Sequence, residues 1–261
     1  AGSAPLSGSG ILVYLDLEAS SLNAGNSVLA FTEAVFNETQ LAVTDDAWLQ
    51  VASLAPLPIS PYGPQSLLVG DSLQFSVSEG TAPYVWSVSD SSVASVSSEG
   101  WLKGRLRGKV VVTAMDALGA TGTSDIVSVY DFRLMIPDTT IDPTASVVVP
   151  LQITPTDSGF ISYQMKLTYS THTYVAFDTL LTSGTLSDGW SVFSSEKPGE
   201  VMIAASSPNM VTAGGTLLRL KFQVPDSTPK PSTTDLHLDN VIFNEGVPLP
   251  LIEQGSITVA A

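Results

Sequence analysis

Histidines are scarce in this chain, which contains only His172 and His237. A serine hydrolase would hold one of them beside a serine and an acid, usually with a Gly-x-Ser-x-Gly turn in the sequence. No such turn accompanies either histidine. His237 alternates with Leu236 and Leu238, so we expect it to point outward from a strand. We therefore predict that the chain is not an enzyme and has no catalytic residues.

Carboxylates offer a second kind of chemistry, either glycoside hydrolysis by an acid pair or binding of a cation. Asp45 and Asp46 are adjacent, and Asp235 and Asp239 lie four positions apart. Acids of this kind are ordinary turn residues, and no Asp-x-Asp-x-Asp-Gly loop or glycine-rich phosphate loop is present. We predict no cofactor and no metal site. Structural calcium stays an open alternative for which no site can be assigned.

Four basic residues stand at every second position, and we expect them to contact a protein partner. They are Lys103, Arg105, Arg107 and Lys109, and no Lys or Arg precedes them in the chain. Alternate residues of a strand share a face, so the spacing predicts one positive stripe on one strand. A solvated strand face is the alternative. As a contact site, the stripe would dock on the acidic surface of a neighbour, and head-to-tail contacts of this kind build filaments.

Aromatic side chains could stack on sugars, which makes carbohydrate binding a further alternative. Trp48, Trp101 and Trp190 lie near predicted strand ends, while Tyr62 and Tyr84 lie in proline-containing loops. Aromatic side chains of this size more often fill a core than form an exposed platform.

The composition favours an exported protein and argues against nucleic acid as a partner. The 261 residues include 10 Lys and Arg against 25 Asp and Glu, a formal net charge of -15 that repels phosphate backbones. Hydrophobic residues make up 44% of the chain, enough for real cores. No apolar run approaches the roughly 20 residues of a membrane span. Cysteine is absent, which excludes disulfides and thiolate sites.

Short alternating or β-branched runs, separated by Gly, Pro, Asn, Asp and Ser, predict an all-β chain. Pro56, Pro58, Pro61 and Pro64 predict a stiff linker. A second boundary is expected near Tyr130–Arg133. The predicted strands include 11–17, 72–77, 84–88, 110–114, 146–153, 161–169, 201–205, 217–224 and 256–259.

An internal repeat links the two ends of the chain. Residues 10–17 match 215–222, residues 34–38 match 241–245, and residues 48–51 match 256–259. The offset grows only from 205 to 208 residues, so the same strands follow one another in the same order.

The first copy of the repeat has no counterpart of the strands that precede the second copy, from Phe132 to Ala205. Residues 1–56 are therefore expected to be the C-terminal part of a domain, with unpaired strand edges. Another polypeptide, such as the other piece of a cut precursor, or a neighbouring subunit would complete it; a bare truncation is the alternative. The predicted strand-completion residues are Ile11, Val13, Leu15, Leu17, Val35 and Phe36.

Residues 132–261 resemble a complete cohesin-like domain. The resemblance lies in residues 159–169, in Gly184-Thr185-Leu186 with Gly189-Trp190, and in residues 199–205 and 215–222. Alternation places Ile161, Tyr163, Met165 and Leu167 on one face, as a half-buried sheet requires. Ser170-Thr171-His172-Thr173 stands where the family usually has an Asp-Pro turn, so the match is to the broad family.

Residues 57–131 resemble a bacterial immunoglobulin-like domain of group 2. The resemblance lies in residues 69–73, 86–90, 93–96, 100–102 and 108–114, with Trp86 expected in the core and Gly100 and Gly108 in turns. The fold class is thus predicted as all-β. It combines a cohesin-like jelly-roll β-sandwich and an immunoglobulin-like β-sandwich with an N-terminal incomplete jelly-roll half.

Together these features predict a non-catalytic extracellular structural or adhesive protein at the cell surface. Its partners would be the polypeptide or subunit completing residues 1–56 and further copies of the chain in a homo-oligomer or filament, with neither nucleic acid nor a membrane span involved. Two alternatives remain. Resemblance to cohesins implies a receptor for dockerin-bearing proteins, and the aromatic residues imply a carbohydrate-binding module.

Overall fold

The computed structural model describes residues 55–142, 146–170 and 175–261, together with the backbone of 25–29, 35–36, 39–40 and 47–51. Every regular element in these residues is a β-strand, so the prediction of an all-β chain is confirmed. Within the same residues, no helix is long and apolar enough to cross a membrane. His172 and the completion residues Ile11, Val13, Leu15 and Leu17 lie outside the described residues.

Four short strands come first, and two of them repeat a ladder found near the end of the chain. Gly25 pairs with Val51 and Leu29 with Ala47, in antiparallel register. The other two strands form a two-residue ladder that contains Val35 and Phe36. The strands are β1 (Gly25–Leu29), β2 (Val35–Phe36), β3 (Thr39–Gln40) and β4 (Ala47–Val51).

Residues 57–130 form the smaller of two sandwiches. Its larger ladders are β10-β11-β7, β12-β15-β6 and β14-β13-β9, and β5 pairs with β8. The buried core includes Phe75, Leu102, Val112 and Val129, and Trp86 packs against it. The strands are β5 (Ile59–Ser60), β6 (Gln65–Leu68), β7 (Ser72–Gln74), β8 (Ser76–Val77), β9 (Val85–Val88), β10 (Ala94–Val96), β11 (Trp101–Gly104), β12 (Gly108–Val110), β13 (Val112–Met115), β14 (Thr121–Thr123) and β15 (Val127–Tyr130).

The proline-containing stretch belongs to this sandwich, so the prediction of a stiff linker there is wrong. Leu57 and Ile59 are buried in the smaller core. The Leu57 backbone N–H donates to the carbonyl oxygen of Thr121 at 3.0 Å, and Ile59 pairs with Val77. Alternation explains the difference, because Pro56 and Pro58 alternate with Leu57 and Ile59, which face inward.

Residues 132–259 form the larger sandwich, from a five-stranded sheet β20-β23-β18-β16-β25 and a six-stranded sheet β17-β26-β24-β19-β22-β21. The strands are β16 (Phe132–Met135), β17 (Thr139–Ile141), β18 (Ser146–Ile153), β19 (Phe160–Tyr169), β20 (Ala176–Leu181), β21 (Ser191–Lys197), β22 (Glu200–Val211), β23 (Gly215–Gln223), β24 (Ser232–Phe243), β25 (Pro250–Glu253) and β26 (Gly255–Val259).

Inward-facing side chains of these two sheets form the larger core, as the alternation predicts for Tyr163, Met165 and Leu167. Ile161 is an exception, because it is 43% exposed while Phe160 is fully buried. The pairing of β19 with β22 shifts register between Phe160 and Ser162. A bulge of this kind reverses the side-chain alternation on one side of it, so the predicted inward position of Ile161 is wrong.

Candidate binding surfaces

The predicted basic stripe does not lie on one strand. Lys103 belongs to β11 and Lys109 to β12, two strands of different ladders. Between them the chain turns around Val93, whose carbonyl oxygen accepts the backbone N–H groups of Arg105 (2.8 Å) and Leu106 (3.1 Å). The expectation of a single stripe is therefore wrong, because a turn interrupts the alternation. The contact role of the four residues stays a prediction.

Arg105 and Arg107 lie at the junction of the two sandwiches. Arg107 Nη1 is 3.8 Å from Asp131 Oδ1. Asp131 Oδ2 accepts the Leu249 backbone N–H at 2.7 Å, and the Asp131 backbone N–H donates to the Leu249 carbonyl oxygen. The cleft between the sandwiches measures about 370 Å³, and Arg105, Arg107 and Asp157 are among its lining residues. In contrast, Lys103 and Lys109 are exposed and form no ion pair with any described residue.

The outer face of the six-stranded sheet contains an apolar row that the sequence analysis did not single out. In the ladder, Gln164 pairs with Ile242 on one side and Ala204 on the other, and Ala204 pairs with Phe193. Phe193 is 71% exposed, although a side chain of this size usually finds a buried position. The signal was present in the sequence, since alternation across Val192 and Phe193 places one inward and the other outward.

Small side chains surround Phe193 and leave an open depression of about 230 Å³. It is bordered by Ser162, Ser191, Ala204 and Ser206 as well as the phenyl ring. A second depression shares Ser162 with the first and continues toward Val247. Further exposed apolar residues of this sandwich are Ile161, Met202, Met210, Ile242 and Val247. We call the outer side of β24, β19, β22 and β21 the partner face.

Lys166 stands on the partner face, one row away from Phe193. Lys166 Nζ lies 3.9 Å from a carboxylate oxygen of Glu200 and 4.0 Å from one of Asp239. Such long, partly exposed pairs contribute little to stability. They do place one positive and two negative groups beside the apolar row, where charges can select among partners.

Strand-completion residues Val35 and Phe36 lie in β2, which pairs with β3. The ladder of β1 with β4 has the same register as the ladder of β24 with β26, in which Ser232 pairs with Val259 and Leu236 with Gly255. In the larger sandwich β24 also pairs with β19. Among the described residues, β1 has no second neighbour. Completion of this part by other strands stays a prediction.

Aromatic side chains divide between core and surface. Trp190 packs against Phe160 at a ring distance of 5.9 Å and is part of the core, as is usual for tryptophan. Tyr84 packs against the smaller core. Trp101 is 48% exposed and Tyr62 73% exposed.

Two carboxylates of the described residues, Asp116 and Asp178, accept hydrogen bonds that lower their pKa. His237 is exposed between two buried leucines, as predicted. Backbone N–H groups of Thr81, Ala120 and Leu118 lower the pKa of Asp116. Hydrogen bonds from Lys221 and Gln223 lower the pKa of Asp178. No group of three or more His, Cys, Asp or Glu residues that could hold a metal ion occurs there.

A family model described as bacterial Ig-like domain (group 2) matches residues 59–127. The immunoglobulin-like resemblance of this part of the chain is therefore confirmed. A search of curated proteins returned no match.

Cohesins are among the solved structures that are similar to the chain. The sixth cohesin from the scaffoldin B of Acetivibrio cellulolyticus, in complex with a Cel5 dockerin, matches 49% of this chain and 98% of its own with 17% identity and a TM-score of 0.43. A non-cellulosomal cohesin from Archaeoglobus fulgidus matches 50% of this chain and 92% of its own with 16% identity and a TM-score of 0.42. The seventh ScaB type I cohesin from Pseudobacteroides cellulosolvens matches 51% of this chain and 94% of its own with 22% identity and a TM-score of 0.43.

Proposed function

We propose that this chain is a non-catalytic extracellular structural protein that binds other proteins through the partner face. The observation that carries the proposal is the exposure of Phe193 beside Ala204, at the edge of an open depression lined by small residues. Aromatic anchors at the centre of an interface commonly supply most of its binding energy, and neighbouring small side chains let the partner approach closely. Lys166, Glu200 and Asp239 add charged groups to the surroundings of Phe193.

The resemblance of residues 132–261 to cohesins suggests a dockerin-bearing protein as the partner. A direct probe is the calcium-loaded Cel5 dockerin of Acetivibrio cellulolyticus, titrated calorimetrically into the full chain. We expect binding that Phe193→Ala weakens at least about tenfold, because the substitution removes an aromatic anchor. Tyr62→Ala, which removes another exposed aromatic side chain from the smaller sandwich, is the matched control. Absence of binding to the wild-type chain would contradict a dockerin receptor.

Self-assembly is the second candidate function, favoured by the charges of Lys103 and Lys109, which form no ion pair with any residue that the structure describes. They stand in a chain of net charge -15, so the acidic surface of a second copy is complementary to them. The repeated ladder β1–β4 adds a second reason, since in the larger sandwich the same ladder continues into β19. Residues 1–56 would then pair with strands equivalent to β18 and β19 from another polypeptide or a neighbouring subunit.

Sedimentation of the full chain at two salt concentrations tests self-assembly. We expect oligomers at about 20 mM salt that dissociate at about 500 mM, where screening shortens the range of charge attraction. The double substitution Lys103→Glu and Lys109→Glu should abolish the oligomers, while Lys197→Glu, a change of the same charge in the larger sandwich, should not. A monomer at both salt concentrations would contradict the proposal.

A further inference from the structure

The smaller sandwich presents an exposed tryptophan, Trp101, on the outer face of the sheet β10-β11-β7. Trp101 lies on the central strand β11, where exposed and buried residues alternate strictly. It is 48% exposed, and its ring makes no contact with another aromatic ring in the described part of the chain. No hydrogen bond of its indole N–H is formed within these residues either, so both the ring and its donor are available to a ligand.

The surroundings of Trp101 are polar on both sides. It pairs with Gln74 on β7, and its backbone N–H lies 3.2 Å from Ser97 Oγ. Lys103 lies two positions after Trp101 on β11 and pairs with Ser95 on β10 and with Ser72 on β7. These directly paired side chains on one face stand about 5 Å apart, close enough to contact one ligand together.

Apolar residues of the same strands point the other way. Leu102 is fully buried, while Leu73 and Val96 pack against the smaller core. A protein partner would be expected to find several apolar side chains around a central tryptophan, because charged groups are depleted at the centre of protein interfaces. Trp101 instead stands alone among hydroxyl, amide and ammonium groups.

That combination matches the surface of a sugar. A pyranose ring has an apolar face of C–H groups, which packs on an aromatic ring, and a rim of hydroxyls, which exchange hydrogen bonds with Ser, Gln and Lys side chains. We propose that the outer face of β7, β10 and β11 is a glycan-binding platform on which a pyranose ring stacks on Trp101. Ser72, Gln74, Ser95 and Lys103 bind its hydroxyls.

The charge of the chain defines the glycan class. A net charge of -15 repels polyanions at long range, so neutral glycans are the ligands and polyuronates are not. This platform lies on the smaller sandwich, whereas the partner face belongs to the larger one. Loss of either binding activity would therefore leave the other intact.

Affinity electrophoresis of the full chain tests the platform, with hydroxyethylcellulose, xylan or polygalacturonate cast into the gel. We expect at least one neutral polysaccharide to retard the wild-type chain, and Trp101→Ala to weaken that binding at least about tenfold because stacking is lost. Trp101→Phe should keep part of the binding, since an aromatic face remains. Tyr62→Ala is the control, as a second exposed aromatic of the same sandwich.

Trp101 is exposed, so the variant should keep its unfolding temperature, which circular dichroism would verify. Any of three results would overturn the proposal: neither neutral polysaccharide retards the wild-type chain, only polygalacturonate retards it, or Trp101→Ala binds as well as the wild type. If instead Trp101→Ala abolished self-association and no glycan bound, the face would be a protein contact.

Discussion

The phenol oxygen of Tyr163 lies 2.7 Å from Oγ of Ser187, and both residues are almost completely buried. This hydrogen bond joins β19, at the centre of the six-stranded sheet, to the turn that precedes β21. Tyr163 also packs against Trp190 and Phe243, with ring distances of 5.6 Å and 5.9 Å. The pair therefore connects the core to the strand that bears Phe193.

Removing one member of this pair should destabilise the larger sandwich. We expect Tyr163→Phe to lower the free energy of unfolding by about 1–2 kcal/mol, since the Ser187 hydroxyl is left buried without its partner. Urea denaturation of the wild type, both single variants and the double variant with Ser187→Ala would measure the coupling. The double variant should cost clearly less than the sum of the two single variants; strict additivity would show that the hydrogen bond contributes nothing.

Alkaline pH should weaken the same sandwich through Tyr163. Burial raises the pKa of Tyr163 from 10.0 to about 12, although the hydrogen bond with Ser187 opposes the shift. The folded state thus holds this proton more tightly than the unfolded state. Its contribution is fully present below pH 10 and is lost as the pH rises toward about 12. Urea midpoints measured from pH 9 to pH 11 should fall more steeply for the wild type than for Tyr163→Phe.

Asp116 should stabilise the smaller sandwich at neutral pH but not in acid. Its carboxylate accepts backbone N–H groups from Thr81 (2.9 Å), Leu118 (2.9 Å) and Ala120 (2.8 Å), which lowers its pKa from 3.8. Because the folded pKa is the lower one, this stabilisation is present above pH 3.8 and is lost as the pH falls through the folded pKa.

Asp116→Asn is the corresponding test, because an amide presents one acceptor oxygen where the carboxylate presents two. Thermal unfolding should show a lower midpoint than the wild type at pH 7, and the difference should shrink in acid. Asp71→Asn, at an exposed carboxylate of the same sandwich, is the control and should leave the midpoint unchanged. An equal drop of the thermal midpoint in both variants would indicate that the change in net charge, and not the loss of hydrogen bonds to Asp116, is responsible.

Gly100→Ala should destabilise the smaller sandwich more than a glycine substitution in open space. Gly100 has a φ of 81°, and a Cβ there would collide with the Phe75 carbonyl oxygen and press on the Trp86 ring. We expect a loss of about 2–4 kcal/mol in unfolding free energy. Gly70→Ala is the matched control, because φ is 92° but nothing lies within 4 Å. Its cost should stay near about 1 kcal/mol.

Phe193→Ala should leave stability almost unchanged, in contrast with Phe160→Ala. Phe193 is 71% exposed, whereas Phe160 is fully buried and packs at ring distances of 4.7 Å from Phe243 and 5.9 Å from Trp190. Truncation of Phe160 is expected to cost about 3–5 kcal/mol through the cavity it leaves. A comparable loss for Phe193 in urea denaturation would mean that its ring is packed in solution and unavailable to a partner.

Local side-chain pattern was sufficient to predict much of the fold. Alternation in the sequence predicted the strand Ser146–Ile153 with the bounds that the structure has. It also predicted that Tyr163, Met165 and Leu167 would share an inward face and that His237 would point outward. These features depend on the two-residue period of a strand, which neighbouring residues impose without help from distant ones.

Contacts between distant residues decided the remaining features, and these concern the candidate surfaces. The bulge that exposes Ile161 arises where β19 meets β22, and the turn that divides the basic residues is hydrogen-bonded to the carbonyl oxygen of Val93. Exposure of Phe193 depends on its place beside Ala204 near the sheet edge. The sequence by itself therefore determined the all-β class, most strands and the outward orientation of alternating residues. Only the tertiary structure decided which outward residues share one face, because strand register depends on pairing between segments far apart in the chain.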